Sequence, residues 1–442
     1  MNANWDSRAL AVLDQLEQAG HRAVLVGGCV RDHLLNRPLH DYDGATSALP
    51  EQILSACSQF RCLETGIKHG TVTVLSDGLP VEVTTFRTET GYSDHRHPDQ
   101  VSFTSELELD LARRDFTINA MAWSRDGLVD FYGGQQDLDS KLIRCVGDPD
   151  RRFEEDALRL LRGLRLAAQL EFSIHPDTAR AIHRHARDLS HVAWERICAE
   201  FLRLICSPGA GDILLSFPDV ICQIIPELEP CIGFDQRNPH HCYDVYTHSV
   251  KALEAVPPTP VLRLAALLHD VGKPATFSLD ESGTGHFYGH PKISVQLAEQ
   301  ALLRLRLDNT SRDEILTLIA RHDLQVEPTR QWTGRWLSRL GEKTFFHLLD
   351  LKRGDRSACA IPTPPDPDPL VEAEQLARNL LAEQACLSLK DLAVNGRDCI
   401  SAGLQGKEIG DTLQRLLELV AENCLPNTRE RLLPEIKKPS SS

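Results

Sequence analysis

The 442-residue sequence has no stretch approaching 18 uninterrupted apolar residues, which argues against a transmembrane helix. Its first residues, Met1 to Leu16, lack the apolar core of a signal peptide and carry Asp6, Arg8 and Asp14 instead. Thirteen cysteines are scattered without a Cys-x-x-Cys pair. That spacing excludes a readable disulfide framework and points to reduced thiols in a cytoplasmic protein. The 27 glycines and 25 prolines are too few for a collagen-like or largely disordered chain. There is no internal repeat. Basic charge is also in short supply: 48 Lys and Arg stand against 63 Asp and Glu, a net charge of −15. Taken alone, that balance argues against a nucleic-acid binder, because phosphate contacts need cations. Residues 151–203 run the other way, with ten Lys and Arg against eight Asp and Glu, plus His175, His183, His185 and His191.

Length predicts two to four domains, at roughly 100–200 residues each. The first 140 residues mix strand and helix signals. Arg8 to Ala19 has helical spacing, Ala23 to Val26 is a short apolar strand, and Cys29 to Leu35 reads as a helix. Thr71 to Val74 and Val81 to Phe86 alternate with period two, as half-buried strands do. Glu89 to Pro98 is polar and loop-like. After Pro149 nearly every segment to about residue 350 has helical spacing. Cys359 to Pro369 holds five prolines and predicts a semi-rigid linker. A last helical unit runs from Val371 to Leu433, with a frayed end at Lys437 to Ser442.

Three constellations carry chemistry. In the first, Gly27 and Gly28 join a strand to a helix. Glycine lets the backbone approach an anion, the helix N-terminus presents N–H groups, and Arg31 is one turn in. The same glycine pair also reads as a plain tight turn. Asp41 and Asp43 follow at i and i+2, hence on one face of a strand. Two adjacent carboxylates repel unless a cation lies between them, and hard oxygen ligands suit Mg²⁺ shared with a triphosphate. Glu82, on a strand that can neighbour this one, is a candidate third carboxylate or a plain exposed glutamate. The set suggests two-metal phosphoryl transfer.

In the second constellation, Asp156 and Arg159 lie at i and i+3 of a predicted continuous helix, with Arg162 one turn on. A surface salt bridge explains the pair equally well. As a base reader, however, Asp accepts and Arg donates. Cytosine and adenine both present an amine donor beside a ring-nitrogen acceptor, whereas uracil and guanine reverse that order. One Asp/Arg pair can therefore accept C and A and reject U and G.

In order along the chain stand Gly27-Gly28-Cys29-Val30-Arg31-Asp32, Asp41-Tyr42-Asp43, Arg113 to Ala122 (RRDFTINAMA), and Glu155-Asp156-Ala157-Leu158-Arg159. This series resembles the motifs of bacterial class II CCA-adding tRNA nucleotidyltransferases and their poly(A) polymerase relatives, in the polymerase-beta nucleotidyltransferase superfamily. The resemblance implies that Gly28 and Arg31 hold the triphosphate and that Asp41 and Asp43 bind Mg²⁺. It further implies that Arg114 contacts the nucleotide and that Asp156, Arg159, Arg162 and Arg165 form a protein template for C and A. Gly44 stands where the family usually has a bulky apolar residue. Arg87 to Pro98 resembles the flexible loop needed for the final A, which favours full CCA addition.

The third constellation is His248, His269-Asp270 and His322-Asp323, with His286 and His290 between. A His-Asp pair directly after the apolar run Val261 to Leu268 is costly to bury unless it is paired or binds metal. It resembles the HD superfamily of metal-dependent phosphohydrolases. The resemblance implies a divalent-metal site from His248, His269, Asp270 and Asp323, lined by His290 or His322. Neutral imidazoles favour Ni²⁺, Mn²⁺ or Fe.

The expected fold class is α+β. A nucleotidyltransferase head with a small mixed sheet and helices (1–145) precedes a largely all-α remainder. That remainder comprises a neck (146–210), an HD body (211–355), a proline-rich linker (356–370) and a tail (371–442). Expected partners are the tRNA acceptor arm and 3′ end, CTP and ATP, with no membrane; a homo-oligomer is left open. Rival readings are a poly(A) polymerase, a CC-adding relative, an HD phosphohydrolase with a vestigial head, and a non-catalytic RNA-binding protein.

Overall fold

A computed structural model describes residues 5–39, 41–64, 66–67, 70–91, 100–360 and 366–436. The chain divides into two compact units, one ending at Ile224 and the other beginning at Ile225. The first contains a mixed sheet with helices and the second is almost entirely helical, which agrees with the α+β expectation. No helix among the described residues is long and apolar enough to cross a membrane.

In the first unit the strands are β1 (Ala23–Val26), β2 (Tyr42–Thr46), β3 (Arg61–Leu63), β4 (Thr71–Ser76), β5 (Leu79–Thr85), β6 (Arg87–Thr90), β7 (Gln100–Phe103), β8 (Met121–Ser124) and β9 (Gly127–Asp130). Seven of them form one sheet in the order β3-β4-β5-β2-β1-β8-β9. Within this sheet, among the described residues, only β2 and β5 pair in parallel; a separate parallel pair joins Leu142–Ile143 to Ser173–Ile174. β1 is buried along its whole length, as a central strand of Ala, Val and Leu should be. β5 buries Val81, Val83 and Thr85 and exposes Pro80 and Glu82, the alternation its sequence predicts. Val24, Val26 and Ala45 pack with Phe86, Leu107, Leu111 and Ala122 to form the core behind the sheet.

Two local expectations are corrected. Arg87–Thr90 is not loop but a strand, antiparallel to Gln100–Phe103. The rest of the anticipated loop, residues 92–99, lies outside the described residues, as do His40 and most of the linker prolines. The helix expected through Asp156 is broken there: one helix covers Pro149–Glu155 and the next Leu158–Leu170. Asp156 is extended (φ −150°, ψ 104°), and its Oδ1 accepts the N–H of Leu158 at 3.0 Å. A short acidic side chain that satisfies a free helical N–H competes with the backbone ladder, which is why the break falls at Asp and not at Glu155. The boundary expected at residue 211 falls inside the first compact unit, which ends at Ile224. Helices Ala210–Ser216 and Pro218–Ile224 belong to the first unit.

The second unit is built on helices Val245–Ala255, Pro260–Leu268, His290–Arg304, Asn309–Arg321 and Arg330–Ser357, the last bent at Gly341 (φ +76°). Three further helices, Pro369–Ala382, Lys407–Ala421 and Arg429–Ile436, with a short one at Gly396–Ser401, make up its C-terminal part.

Candidate active sites

In the first unit, a cavity of about 810 Å³ gathers residues from far apart in the sequence. Its walls hold Gly27, Gly28, Arg31, Asp41, Asp43, Arg114, Asp156, Arg159, Arg162 and Arg165, together with Arg87, Glu89, Arg113, Asp115, Asn119 and Arg196. Every sequence-predicted residue of this site except Glu82 is therefore in one wall. Glu82 is exposed on β5 beside Asp43 in the parallel register, outside the cavity lining.

Gly27 has φ +75°, and a Cβ there would come within 2.9 Å of Arg114 Nη1. The positive φ favours glycine, whereas the arginine terminus could shift aside. The helix Gly28–Leu34 carries Arg31, whose guanidinium forks onto Asp32 at 2.9 Å twice and donates to Asn119 Oδ1 at 2.6 Å. The carboxylates of Asp41 and Asp43 accept no hydrogen bond from another side chain among the described residues, although the Asp43 carbonyl takes the Cys29 thiol at 3.7 Å. Burial raises the Asp43 pKa, and Glu82 and Asp41 push it up further while Arg114 pulls it down. Three carboxylates that repel one another and lack donors fit a divalent cation.

Eight arginines line the cavity against five carboxylates. The chain is acidic overall, yet this concave surface is cationic, and a cleft lined by one sign of charge concentrates its field. The arginines are held by buried acids. Asp110 takes Arg113 at 2.7 Å and Arg114 at 3.3 Å. Asp115 takes Arg162 at 2.7 Å and Asn119 at 3.2 Å. Burial alone would raise the Asp115 pKa, but Arg162 more than offsets it and holds the carboxyl well below the usual range. Arg165 pairs with Glu200 at 2.5 Å and Arg159 with Glu155 at 2.5 Å. Asp156 Oδ2 accepts from Arg196 at 2.8 Å. Each Asp156 oxygen thus has one partner and one remaining lone pair. Sequence reasoning missed Arg196, which lies 40 residues beyond its partner. Its signal, an Arg on the strongly amphipathic helix Trp194–Ile205, is too common to single out.

In the second unit, a buried cluster surrounds Asp270. Its Oδ2 faces the Nε2 atoms of His248 at 3.4 Å and His269 at 3.3 Å. Its Oδ1 faces the Nε2 atoms of His290 at 3.2 Å and His322 at 3.6 Å. All four Nδ1 atoms contact carbonyl oxygens: His248 to Ala358 at 3.2 Å, His269 to Ala266 at 2.7 Å, His290 to Phe287 at 2.9 Å and His322 to Ile319 at 2.7 Å. A carbonyl only accepts, so each Nδ1 donates and each Nε2 is the atom turned inward, where it can offer its lone pair to a metal once deprotonated. The Nε2 atoms of His290 and His322 are 3.1 Å apart. Two such lone pairs at that distance need a proton or a cation between them. Burial opposes charge on His269, but Asp270 and Asp355 outweigh it and push its pKa up to about 10. His269 Nε2 is nevertheless buried without a hydrogen bond of good geometry. These observations fit a divalent metal on either side of Asp270.

The ligand set expected from the sequence needs one correction. Asp355, not Asp323, joins His248, His269 and Asp270. Its Oδ1 lies 2.9 Å from His248 Nε2. Asp323 is exposed on the wall of the cavity that Asp270, His290, His322 and Asp355 also line, but it is outside every converging set. It follows His322, the C-cap of its helix, and stands exposed while His322 is buried. Asp355 had a signal: it continues the buried stripe Leu348, Leu351 of its helix as a carboxylate on an apolar face.

Comparison with known proteins follows the same division. Residues 23–144 match the poly A polymerase head domain, 171–229 a probable RNA and SrmB-binding site of polymerase A, and 240–358 the HD domain. A CCA-adding enzyme of Latilactobacillus sakei is 37% identical over 98% of both chains. One from Lactobacillus gasseri is 50% identical, but the match spans 48% of this chain and about half (53%) of that relative. Among solved structures, the Bacillus stearothermophilus CCA-adding enzyme in complex with CTP aligns with TM-score 0.72 and 30% identity, covering 97% of this chain and 96% of that one. The Thermotoga maritima CCA-adding enzyme complexed with tRNA shares the fold at TM-score 0.58 and 18% identity, covering 97% and 94%.

Proposed function

The chain belongs to the family of CCA-adding enzymes, and from that premise we propose that it adds C, C and A to the 3′ end of tRNA from CTP and ATP. The observation that carries the proposal is one cavity joining the Asp41/Asp43 pair to Asp156 and Arg159. Asp41 and Asp43 hold Mg²⁺, with Glu82 beside them. Held there, such an ion would lower the pKa of an attacking 3′-hydroxyl and offset the charge of the leaving pyrophosphate. Arg31 and Arg114 grip the triphosphate, and the helix start at Gly28 lets it approach the backbone. Asp156 accepts the base amine, and Arg159 donates to the ring nitrogen. Arg196 and Glu155 orient that pair, while Arg162 and Arg165, braced by Asp115 and Glu200, complete the template wall. No template strand is needed, because the donor and acceptor order comes from side chains. Incubating the protein with tRNA lacking its 3′ end, Mg²⁺ and each labelled nucleoside triphosphate in turn tests this. Incorporation of C and A alone is expected; incorporation of A in long runs would assign poly(A) synthesis instead.

A second activity is carried by a separate observation, the four imidazoles around Asp270. We infer a phosphohydrolase that clears a 2′,3′-cyclic or terminal phosphate from a damaged tRNA end. A transition metal held by His248, His269, Asp270 and Asp355, with His290 and His322 opposite, would lower the pKa of a water and polarise a phosphoryl oxygen. The Nδ1 contacts fix the ring tautomers that this requires. Metal-dependent hydrolysis of a cyclic nucleotide, absent in His269→Ala, tests it. Thirteen cysteines, none of them in a disulfide, support a reducing compartment, the cytoplasm.

A further inference from the structure

Tyr288 is 78% exposed, the most exposed large hydrophobic side chain among the described residues. It is nevertheless held in place. Its ring stacks on His286, with centroids 5.3 Å apart and planes within 8°. His286 Nε2 is 2.9 Å from Asp280 Oδ2. Asp280 in turn accepts the N–H groups of Ser282 and Thr284, each at 2.9 Å, closing the small hairpin Ser278–Leu279 with Gly285–His286. The hairpin is clamped from behind. Gly285 donates to the Arg237 carbonyl at 2.7 Å and accepts from Asn238 Nδ2 at 3.0 Å. A Cβ at Gly285 would lie 2.1 Å from the Gln236 carbonyl oxygen, so only glycine permits that approach. Two residues after Tyr288, His290 opens its helix and turns Nε2 toward Asp270.

The stacked pair and the imidazole cluster share one cavity of about 360 Å³, lined by His286 and Tyr288 together with Asp270, His290, His322 and Asp355. An aromatic face fixed in water beside a phosphate-ester site has the chemistry of a base platform: bases stack on aromatic rings, and every base has a π-face. We propose that Tyr288, backed by His286, is the base-stacking platform of this cavity. It makes the phosphohydrolase selective for phosphate esters carrying an unpaired base, whether a free nucleotide or the terminal nucleotide of an RNA. Stacking reads no hydrogen-bond pattern, so the four bases are accepted nearly alike, in contrast to the Asp156/Arg159 site. The proposal rests on the phosphohydrolase reading of the same site.

The test uses the full chain with its metal and three esters: adenosine 2′,3′-cyclic phosphate, an RNA oligomer ending in a 2′,3′-cyclic phosphate, and base-free glycerol cyclic phosphate. Tyr288→Ala is expected to raise KM for the mononucleotide about 10- to 100-fold, the range of one lost base stack, with kcat within about twofold. KM for the glycerol ester stays unchanged, and Tyr288→Phe and Tyr288→Trp restore the nucleotide value. An equal rise for the RNA puts its terminal base on Tyr288, and a rise for the RNA alone puts a neighbouring base there; both uphold the platform. An unchanged KM for both nucleotide substrates, or an equal rise for the base-free ester, overturns it. If wild type hydrolyses none of the three, the phosphohydrolase reading fails on its own. Binding then decides the platform. Calorimetric titration with adenosine 2′-monophosphate compares the metal-free full chain with its Tyr288→Ala variant, to which the first unit contributes equally. A binding event lost in the variant upholds the platform, and identical isotherms overturn it.

Discussion

The cavity of the first unit is open and lined by arginines, each steadied by a neighbouring acid. The cluster of the second unit is buried, with four imidazoles closing on one carboxylate. Both sites are built around aspartates, yet their surroundings prepare them for different work. Asp43 has its pKa raised by burial and by other carboxylates, with only Arg114 to oppose this. Asp270 is also desolvated, but His269 and Lys273 hold its pKa well below the ordinary value. A carboxylate set that repels itself awaits a hard cation shared with a triphosphate. One ringed by imidazole nitrogen has the donor set that suits a transition metal. The environment, more than the residue, separates the two chemistries.

The largest effects should break one site and spare the other. Asp43→Asn is expected to reduce nucleotide addition by at least roughly a thousandfold, since a lost metal ligand costs several orders of magnitude, while cyclic-phosphate hydrolysis stays at the wild-type rate. Turnover assays with tRNA and with a cyclic nucleotide on the same preparation measure both. Asp270→Asn should do the reverse, and metal analysis should show loss of bound transition metal with tRNA extension intact. If either substitution abolished both activities in a folded protein, the two sites would be coupled.

A smaller effect sharpens the first site. Asp156→Ala should lower discrimination of CTP over UTP by about 10- to 100-fold, because an acceptor that leaves the wrong base unpaired is gone. Competition between labelled triphosphates reads this. Arg196→Ala should move selectivity in the same direction but less, since it only holds Asp156. Unchanged selectivity in Asp156→Ala would return that pair to a structural salt bridge.

The smallest effect concerns acid stability. Asp115 is held below its ordinary pKa in the folded chain, by Arg162 against the cost of burial. A depressed carboxylate contributes stability that is present above its unfolded pKa of about 4 and is lost as pH falls through the folded value. Asp115→Asn should therefore flatten the loss of stability below about pH 4, measured as urea midpoints across pH. A parallel acid limb in both proteins would refute the linkage.

Much of the first site was legible because its signals are local. Gly27-Gly28 sits at a strand-to-helix turn, and Asp41 and Asp43 are two residues apart, Asp43 on β2 and Asp41 just before its first residue. Strand period and turn chemistry act over a few residues, so adjacent sequence suffices. The pair proposed to read the base was singled out by hydrogen-bond logic, but the helix expected through it is broken: Asp156 leaves the helix where a continuous one was expected. Helical spacing is blind to a side chain that caps the next turn. The HD dipeptide was visible as two polar residues after an apolar run, whereas its partner Asp355 was not assigned, although it lies on a buried helical stripe.

By itself the sequence determined the element order, the glycine turn, the carboxylate pair and the His269-Asp270 pair, since each depends on neighbours within a turn or a strand. Tertiary structure decided which distant groups complete them. The parallel pairing of β2 with β5 sets Glu82 beside Asp43. The packing of helix Arg330–Ser357 against Val245–Ala255 carries Asp355 onto His248 and leaves Asp323 in solvent. Arg196 reaches Asp156 across 40 residues of chain. Ion pairs and metal ligands are chosen by distance in space, and the chain separation between partners carries no record of it.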